Sequence, residues 1–458
     1  MEKDWIVSLD WFLAPIYIIV ILVVAVNIQK KQIKSNPIYV FFVRGLAVKI
    51  FGGVAVTLVY VFYYRGGDTF AYHLYGGTMV NLLYHSPMDF IQVLFGDNSA
   101  ENYSCFTEET GFPGYWNDIP AFNTIKLMSF PELLGLKLYL PVSVLMGFIS
   151  FTGIWKLYIM FCECYPNLYK QFAISILFIP SVCFWGSGVL KDAWTIAAAG
   201  WYCYSFYRIF INRKKLYSNI FTLLLSILIM VLIKPYVFVA LLPGSLIWMV
   251  WSRILAIRST FIRILVAPII FFIGLFFGFI LWTSTSSNLR EYRDLDSILL
   301  KASVSSEDLK RERYHGSSFD IGSYDATLSG VILKFPIATL TGLFRPFLWE
   351  SRNPVMYLSG FENLIFLFIT VYFLLRRPAS FLSSLFTNPL VLFSIIFGIF
   401  FAFSVAISTS NFGALVRLRI PAIPFFLSGI LLVEYLSREK ENAKKANYLS
   451  KKRAEYMK

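Results

Sequence analysis

The sequence predicts an all-α polytopic membrane protein of about eleven transmembrane helices, and three observations predict the membrane class. First, 57% of the 458 residues are hydrophobic and 15% charged, with a mean hydropathy of +0.64, too apolar for a soluble chain of this length. Second, apolar runs recur at the roughly 20-residue length that crosses a bilayer. Third, basic residues gather in the short loops between those runs, as the positive-inside tendency requires. The net charge of +14 therefore reads as membrane topology and not as nucleic-acid binding.

Taken in order, Trp11–Asn27 is a first span, and Lys30, Lys31 and Lys34 after it place the following loop in the cytoplasm and the N-terminus outside. Glu2, Lys3 and Asp4 precede a run of full span length, so no cleavable signal peptide is expected. A second span at about Leu46–Tyr64 carries the chain outward. The segment from Arg65 to about Lys137 stays outside; its apolar stretches Phe90–Phe95 and Leu127–Leu134 are too short to cross and suit interfacial helices. Further spans follow at about Leu138–Phe161 and Gln171–Gly186, then a fifth running in to Arg213-Lys214-Lys215. The sixth ends outside at Lys234-Pro235, the seventh inside near Arg253, Arg258 and Arg263, and the eighth is about Ile264–Thr283. A second outer loop, about Ser284–Ser329, mixes charges from Arg290, Glu291, Arg293, Asp294 and Asp296 to the run Glu307 to Arg313. Ile332–Leu343 reads as a short interfacial or re-entrant helix. The ninth span reaches Arg376-Arg377, the tenth is about Pro389–Ser408, and the eleventh runs into a basic tail. The whole reads as one transmembrane domain over 1–437 with outer loops at about 65–137 and 284–329, and a cytoplasmic tail over 438–458.

On this topology the costly side chains at span ends collect outside: Arg65, Asp68, Lys191, Asp192, Lys234, Arg345, Glu350, Arg417 and Arg419. Each cation alone is explained by snorkelling to lipid headgroups. A cluster drawn from separate spans, mostly near Pro or Gly, would suit a lipid-linked phosphate, which Arg grips with a bidentate fork and Lys meets as a point charge. The stretch Arg65-Gly66-Gly67-Asp68…Tyr72-His73 stands out, because its glycines allow a sharp turn at the membrane surface and helical spacing sets Tyr72 one turn from Asp68. The plainer reading is that the glycines end one helix and Asp68 caps the next. Cys105, Cys162, Cys164, Cys183 and Cys203 imply no disulfide framework; no second pair completes a metal set with Cys162 and Cys164. His73, His85 and His315 are all outer, with no fixed ligand spacing, so no metal residues are assigned.

Several of these motifs together resemble GT-C-type membrane glycosyltransferases, the superfamily of the dolichyl-phosphate-mannose protein mannosyltransferases and lipid A aminoarabinose transferases, and within it the uncharacterised bacterial members of the mannosyltransferase-like branch. They are the Arg65-Gly66-Gly67-Asp68…Tyr72-His73 loop with interfacial helices after it, Pro180-Ser181-Val182-Cys183-Phe184-Trp185-Gly186-Ser187-Gly188 leading to Lys191-Asp192, and Arg417-Leu418-Arg419-Ile420-Pro421-Ala422-Ile423-Pro424 at the last span. The resemblance covers most of Tyr63–Glu434. It implies an inverting sugar transfer from a polyprenyl-phosphate donor to a glycan, lipid or protein acceptor at the outer face of a bacterial inner membrane. Asp68 matches the loop carboxylate that acts as base, with Arg65, Tyr72, His73, Lys191, Asp192, Lys234, Arg345, Glu350, Arg417 and Arg419 about the substrate. No cofactor is firmly implied, and a divalent metal is compatible with the chemistry. Thr69 stands where members often carry a second acid, and an extra span precedes the one leading to Asp68. Two other readings use the same features: a polysaccharide polymerase or O-antigen ligase-type transferase, and, in a different class, a transporter or flippase of lipid-linked anionic glycans or a non-enzymatic scaffold.

Overall fold

The computed structural model describes residues 5–214, 216–285, 295–309 and 317–456. Glu2, Lys3, Asp4, Lys215, the loop charges Arg290, Glu291, Arg293 and Asp294, the residues 310–313, His315 and the last two residues of the tail lie outside the described residues. Among the described residues the fold is all-helical, with one isolated bridge between Ser318 and Asn411 and no strand. Among the described residues six helices are long and apolar enough to cross a membrane, or seven if one pair bent by 65° counts as a single span. The chain divides into two compact units, residues 1–238 and 239–458.

In the first unit, α1 (Ser8–Gln32) and α2 (Phe42–Leu58, continued by a π turn Val59–Tyr64) are apolar over span length. The segment between Tyr64 and the next span folds into α3 (Asp68–His85), α4 (Pro87–Phe95), α5 (Ala100–Tyr103) and α6 (Ile119–Leu134). Local chemistry sets these starts. Ser86 accepts from the Asp89 amide with Pro87 at the first helical position, and Asp118 accepts from the Ala121 amide. The helix α4 is two-sided, burying Phe90 and Val93 while Met88 and Phe95 are exposed. By contrast α6 packs against its neighbours: Ala121, Phe122, Ile125, Met128 and Glu132 form a buried stripe at helical spacing.

A long span, α7 (Tyr139–Cys164), follows. The fourth expected span is instead α8 (Tyr169–Phe172), a π turn and α9 (Pro180–Trp185), because Pro180 cannot continue the ladder and holds Ile179 extended. Then come α10 (Lys191–Phe206) and α11 (Leu216–Ile233); α12 (Pro235–Leu255) carries the chain across the division between units. Helices α7 and α10 run parallel, since Lys156 lies 4.6 Å from the Tyr204 ring and Glu163 pairs with Arg208 at 2.6 Å further on. They touch backbone to backbone: a Cβ added to Gly200 would stand 2.1 Å from the Gly153 carbonyl oxygen. Lys49 of α2 is buried and donates to the carbonyls of Val182 (2.9 Å) and Gly186 (3.1 Å), satisfying the exposed end of α9.

The second unit contains α13 (Thr260–Thr285), α14 (Leu295–Asp308), α15 (Leu328–Leu333), α16 (Phe335–Phe344), α17 (Pro354–Arg376), α18 (Pro378–Thr387), α19 (Pro389–Ser408), α20 (Phe412–Leu418) and α21 (Ala422–Tyr456). Asn353, Asn388 and Asn411 cap α17, α19 and α20. The bent pair is α20 with α21, broken at Arg419-Ile420-Pro421. Shorter apolar helices occupy Pro235–Trp251, Pro268–Ile280 and Phe335–Phe344.

Candidate functional site

The π turn at Val59–Tyr64 ends with Arg65 in the left-handed region (φ 54) and Gly67 at φ 117. Gly67 is also confined, since a Cβ there would meet the Tyr60 ring at 2.8 Å. Only glycine takes this turn without strain. Gly67, not Asp68, is the N-cap of α3, and no side chain caps it. Asp68 is the first helical residue, half-buried, where a carboxylate complements the positive end of the helix.

The other expected residues of the first unit stand at the same end of its bundle. Arg65 is exposed at the end of α2. Lys191 opens α10 with its Nζ 4.0 Å from Asp118 at the cap of α6. Asp192 and Lys234 are buried against each other, Nζ to Oδ1 at 2.5 Å, joining the start of α10 to the end of α11. Asn123 of α6 donates to the Leu232 carbonyl, so the segment 65–137 is tied to the same end. At the opposite end lie the ion pair Glu163–Arg208 and the basic residues Lys30, Lys31, Arg213 and Lys214.

Tyr72 and His73 face inward. Tyr72 is buried with its ring 5.9 Å from that of Tyr115. The His73 ring stacks on Tyr139 at 4.4 Å, and its Nδ1 is 2.8 Å from Glu132 Oε1. Glu132 is fully buried, and among the described residues its second oxygen is buried without a hydrogen-bond partner, while the buried Tyr139 and Thr69 hydroxyls face each other. Burial pushes the Glu132 carboxyl above the usual carboxylate range, and His73 pulls it part of the way back. Asp10 closes the cluster, accepting from the amides of Val7 (3.0 Å) and Leu140 (2.8 Å), while Trp5 stacks on Phe70 at 4.2 Å.

In the second unit Arg345 and Glu350 form a bidentate pair, with Nε donating to Oε2 at 3.1 Å and a second nitrogen to Oε1 at 2.5 Å, and the guanidinium lies 5.2 Å from the rings of Phe319 and Phe412. Arg419 is fully buried and donates to the carbonyls of Gly342 (2.9 Å) and Arg345 (2.8 Å) and to Asn363 Oδ1. These guanidinium groups are thus committed to the protein itself. Arg417 is half-buried on the last turn of α20.

The residues that sequence reasoning missed are Asp10, Thr69, Glu132, Tyr139 and Asn363. Glu132 carried a legible signal: it falls on the apolar stripe of α6, where an acid needs a partner. Among the described residues no group of three His, Cys, Asp or Glu could hold a metal ion. Comparison of the chain with protein-family models, curated proteins and solved structures finds no match.

Proposed function

We propose that the chain is a GT-C-type membrane glycosyltransferase that moves a sugar from a polyprenyl-phosphate donor to an acceptor hydroxyl on the extracytoplasmic side of a bacterial inner membrane. The observation that carries this reading is Asp68 as the first residue of α3, half-buried after the Arg65-Gly66-Gly67 turn at the end of a span. In the proposed step Asp68 takes the hydroxyl proton as the oxygen attacks the anomeric carbon. The bond from that carbon to the phosphate oxygen breaks, and the polyprenyl phosphate leaves with the electron pair. Lys191, at the same end of the bundle, is the cation assigned to the growing phosphate charge. The basic loops at the opposite end support the assigned orientation. The remaining apolar helices, α12 and α13 among them, are assigned as further crossings toward about eleven in all.

The transport reading would need charged groups lining a path through the spans. Lys49, buried within the second span, is held by backbone carbonyls and has a packing role instead.

The test uses the purified full chain in detergent with a polyprenyl-phosphate sugar and a panel of acceptors. Release of polyprenyl phosphate is expected, and Asp68→Asn should lower it about 10²–10⁴-fold while the protein stays folded. Undiminished release by the variant would remove Asp68 from the chemistry.

A further inference from the structure

We propose that Glu132 and His73 form a proton-holding latch that docks α3 on α6 and so fixes where Asp68, at the head of α3, is presented; Glu132 is a positioning residue acting through His73. For its consequence at Asp68 the inference rests on the transferase reading, but the latch is a property of the fold and is testable without any sugar.

The geometry leads to it. His73 stands on α3, five residues beyond Asp68, and its ring is sandwiched between Glu132 and the face of Tyr139. Gly76, almost one turn further along α3, packs on the Glu132 side chain so closely that a Cβ would stand 2.8 Å from Glu132 Cγ. The acid is therefore clasped by α3 and shut off from water. One carboxylate oxygen has His73 and the other has no hydrogen-bond partner, so a full negative charge is poorly compensated there.

The charged and titratable groups around Glu132 come from each element packed on it. They are His73 on α3, Asp10 on α1, Tyr139 at the start of α7, and Lys137 in the connection after α6. Lys137 is already engaged, with its Nζ 2.8 Å from Asn81 Oδ1, and Asp10 adds a like charge. Burial raises the Glu132 carboxyl above its ordinary value, so the docked state binds a proton there more tightly than an undocked Glu132 does. Docking is thus fully favoured below the ordinary carboxylate value and weakens as pH rises through the raised one.

Hydrogen exchange of the α3 amides in the full chain in detergent micelles, corrected for intrinsic exchange and followed from pH 5 to pH 9, tests the latch. Protection of α3 should fall with rising pH by up to about tenfold per unit, the limit for one linked proton, while α10 keeps its protection. Glu132→Gln should keep α3 protected and remove the slope, because an amide can still bond to the imidazole but cannot titrate. His73→Ala, which takes away the group that pulls the acid down, should make the fall larger. A merely structural role would lower protection in both variants by the same factor at every pH, and that result, or a flat wild-type profile, overturns the proposal. If Glu132→Gln fails to fold, the His73→Ala profile decides alone, an unchanged slope overturning the proposal. A pH slope that Glu132→Gln removes, in a protein whose Asp68→Asn variant transfers sugar undiminished, would sink the transferase reading and leave the latch standing. Sugar transfer dependent on Asp68 with a flat α3 profile would do the reverse.

Discussion

Lys234 Nζ stands 2.5 Å from Asp192 Oδ1, and both side chains are buried, so an ion pair withdrawn from water ties the end of α11 to the start of α10. Breaking one half of such a pair leaves a buried charge uncompensated, which costs about 3–5 kcal/mol. Lys234→Met is expected to destabilise the full chain by that order, read as a lower midpoint of thermal unfolding in detergent. Adding Asp192→Asn should recover part of the loss. A single variant as stable as the parent would contradict the pairing.

Arg419 was expected at the substrate and instead bonds to Gly342, Arg345 and Asn363. Arg419→Lys cannot reproduce a forked contact to separated acceptors. Each buried acceptor left unmade costs about 1–3 kcal/mol, so the variant should unfold at lower temperature whether or not donor is present. A variant with wild-type stability and weakened donor binding alone would return Arg419 to the substrate.

The Gly153–Gly200 crossing leaves no room for a methyl group, since the nearest carbonyl atom belongs to backbone and cannot swing away. Gly200→Ala should cost about 1–3 kcal/mol through overpacking. Gly77→Ala, on helical backbone with its nearest neighbour atom at 3.7 Å, makes a control for space. Equal thermal midpoints for parent and Gly200→Ala would show that the helices part without penalty.

Lys126 of α6 is buried and donates to the Gly96 carbonyl at 2.7 Å; burial pushes its ammonium down to about 8 from 10.5. A depressed base costs the folded state most below about 8, and that cost falls away as pH climbs to the unfolded value of 10.5. Between about 8 and 10.5 the parent should therefore gain stability with rising pH relative to Lys126→Met. Unfolding midpoints of the two proteins that move in parallel over that range would count against it.

The all-helical class and the folding of 65–137 into helices between spans were legible because apolar length and helical periodicity are local properties. Span number was less so. Pro180 divides what composition reads as one crossing, and proline kinks are weighed only once the surrounding packing is known. At the site, the Gly66-Gly67-Asp68 turn could be read from residue types, since a left-handed turn leaves a signature in glycine. The commitments of Arg345, Arg419 and His73 could not. Whether a cation meets a carboxylate from a distant helix or a ligand depends on tertiary register, which the sequence does not print. Lys49 and Glu132 show the same limit from inside, as each found its partner more than 50 residues away.

The close approach of α7 and α10 at Gly153 and Gly200 also bears on motion. Interdigitated backbones cannot slide or splay without tearing contact over many atoms at once, so this pair is a stiff keel. Relative movement of α2 and α3 must then be taken up outside that pair, at the Arg65-Gly66-Gly67 turn that joins them.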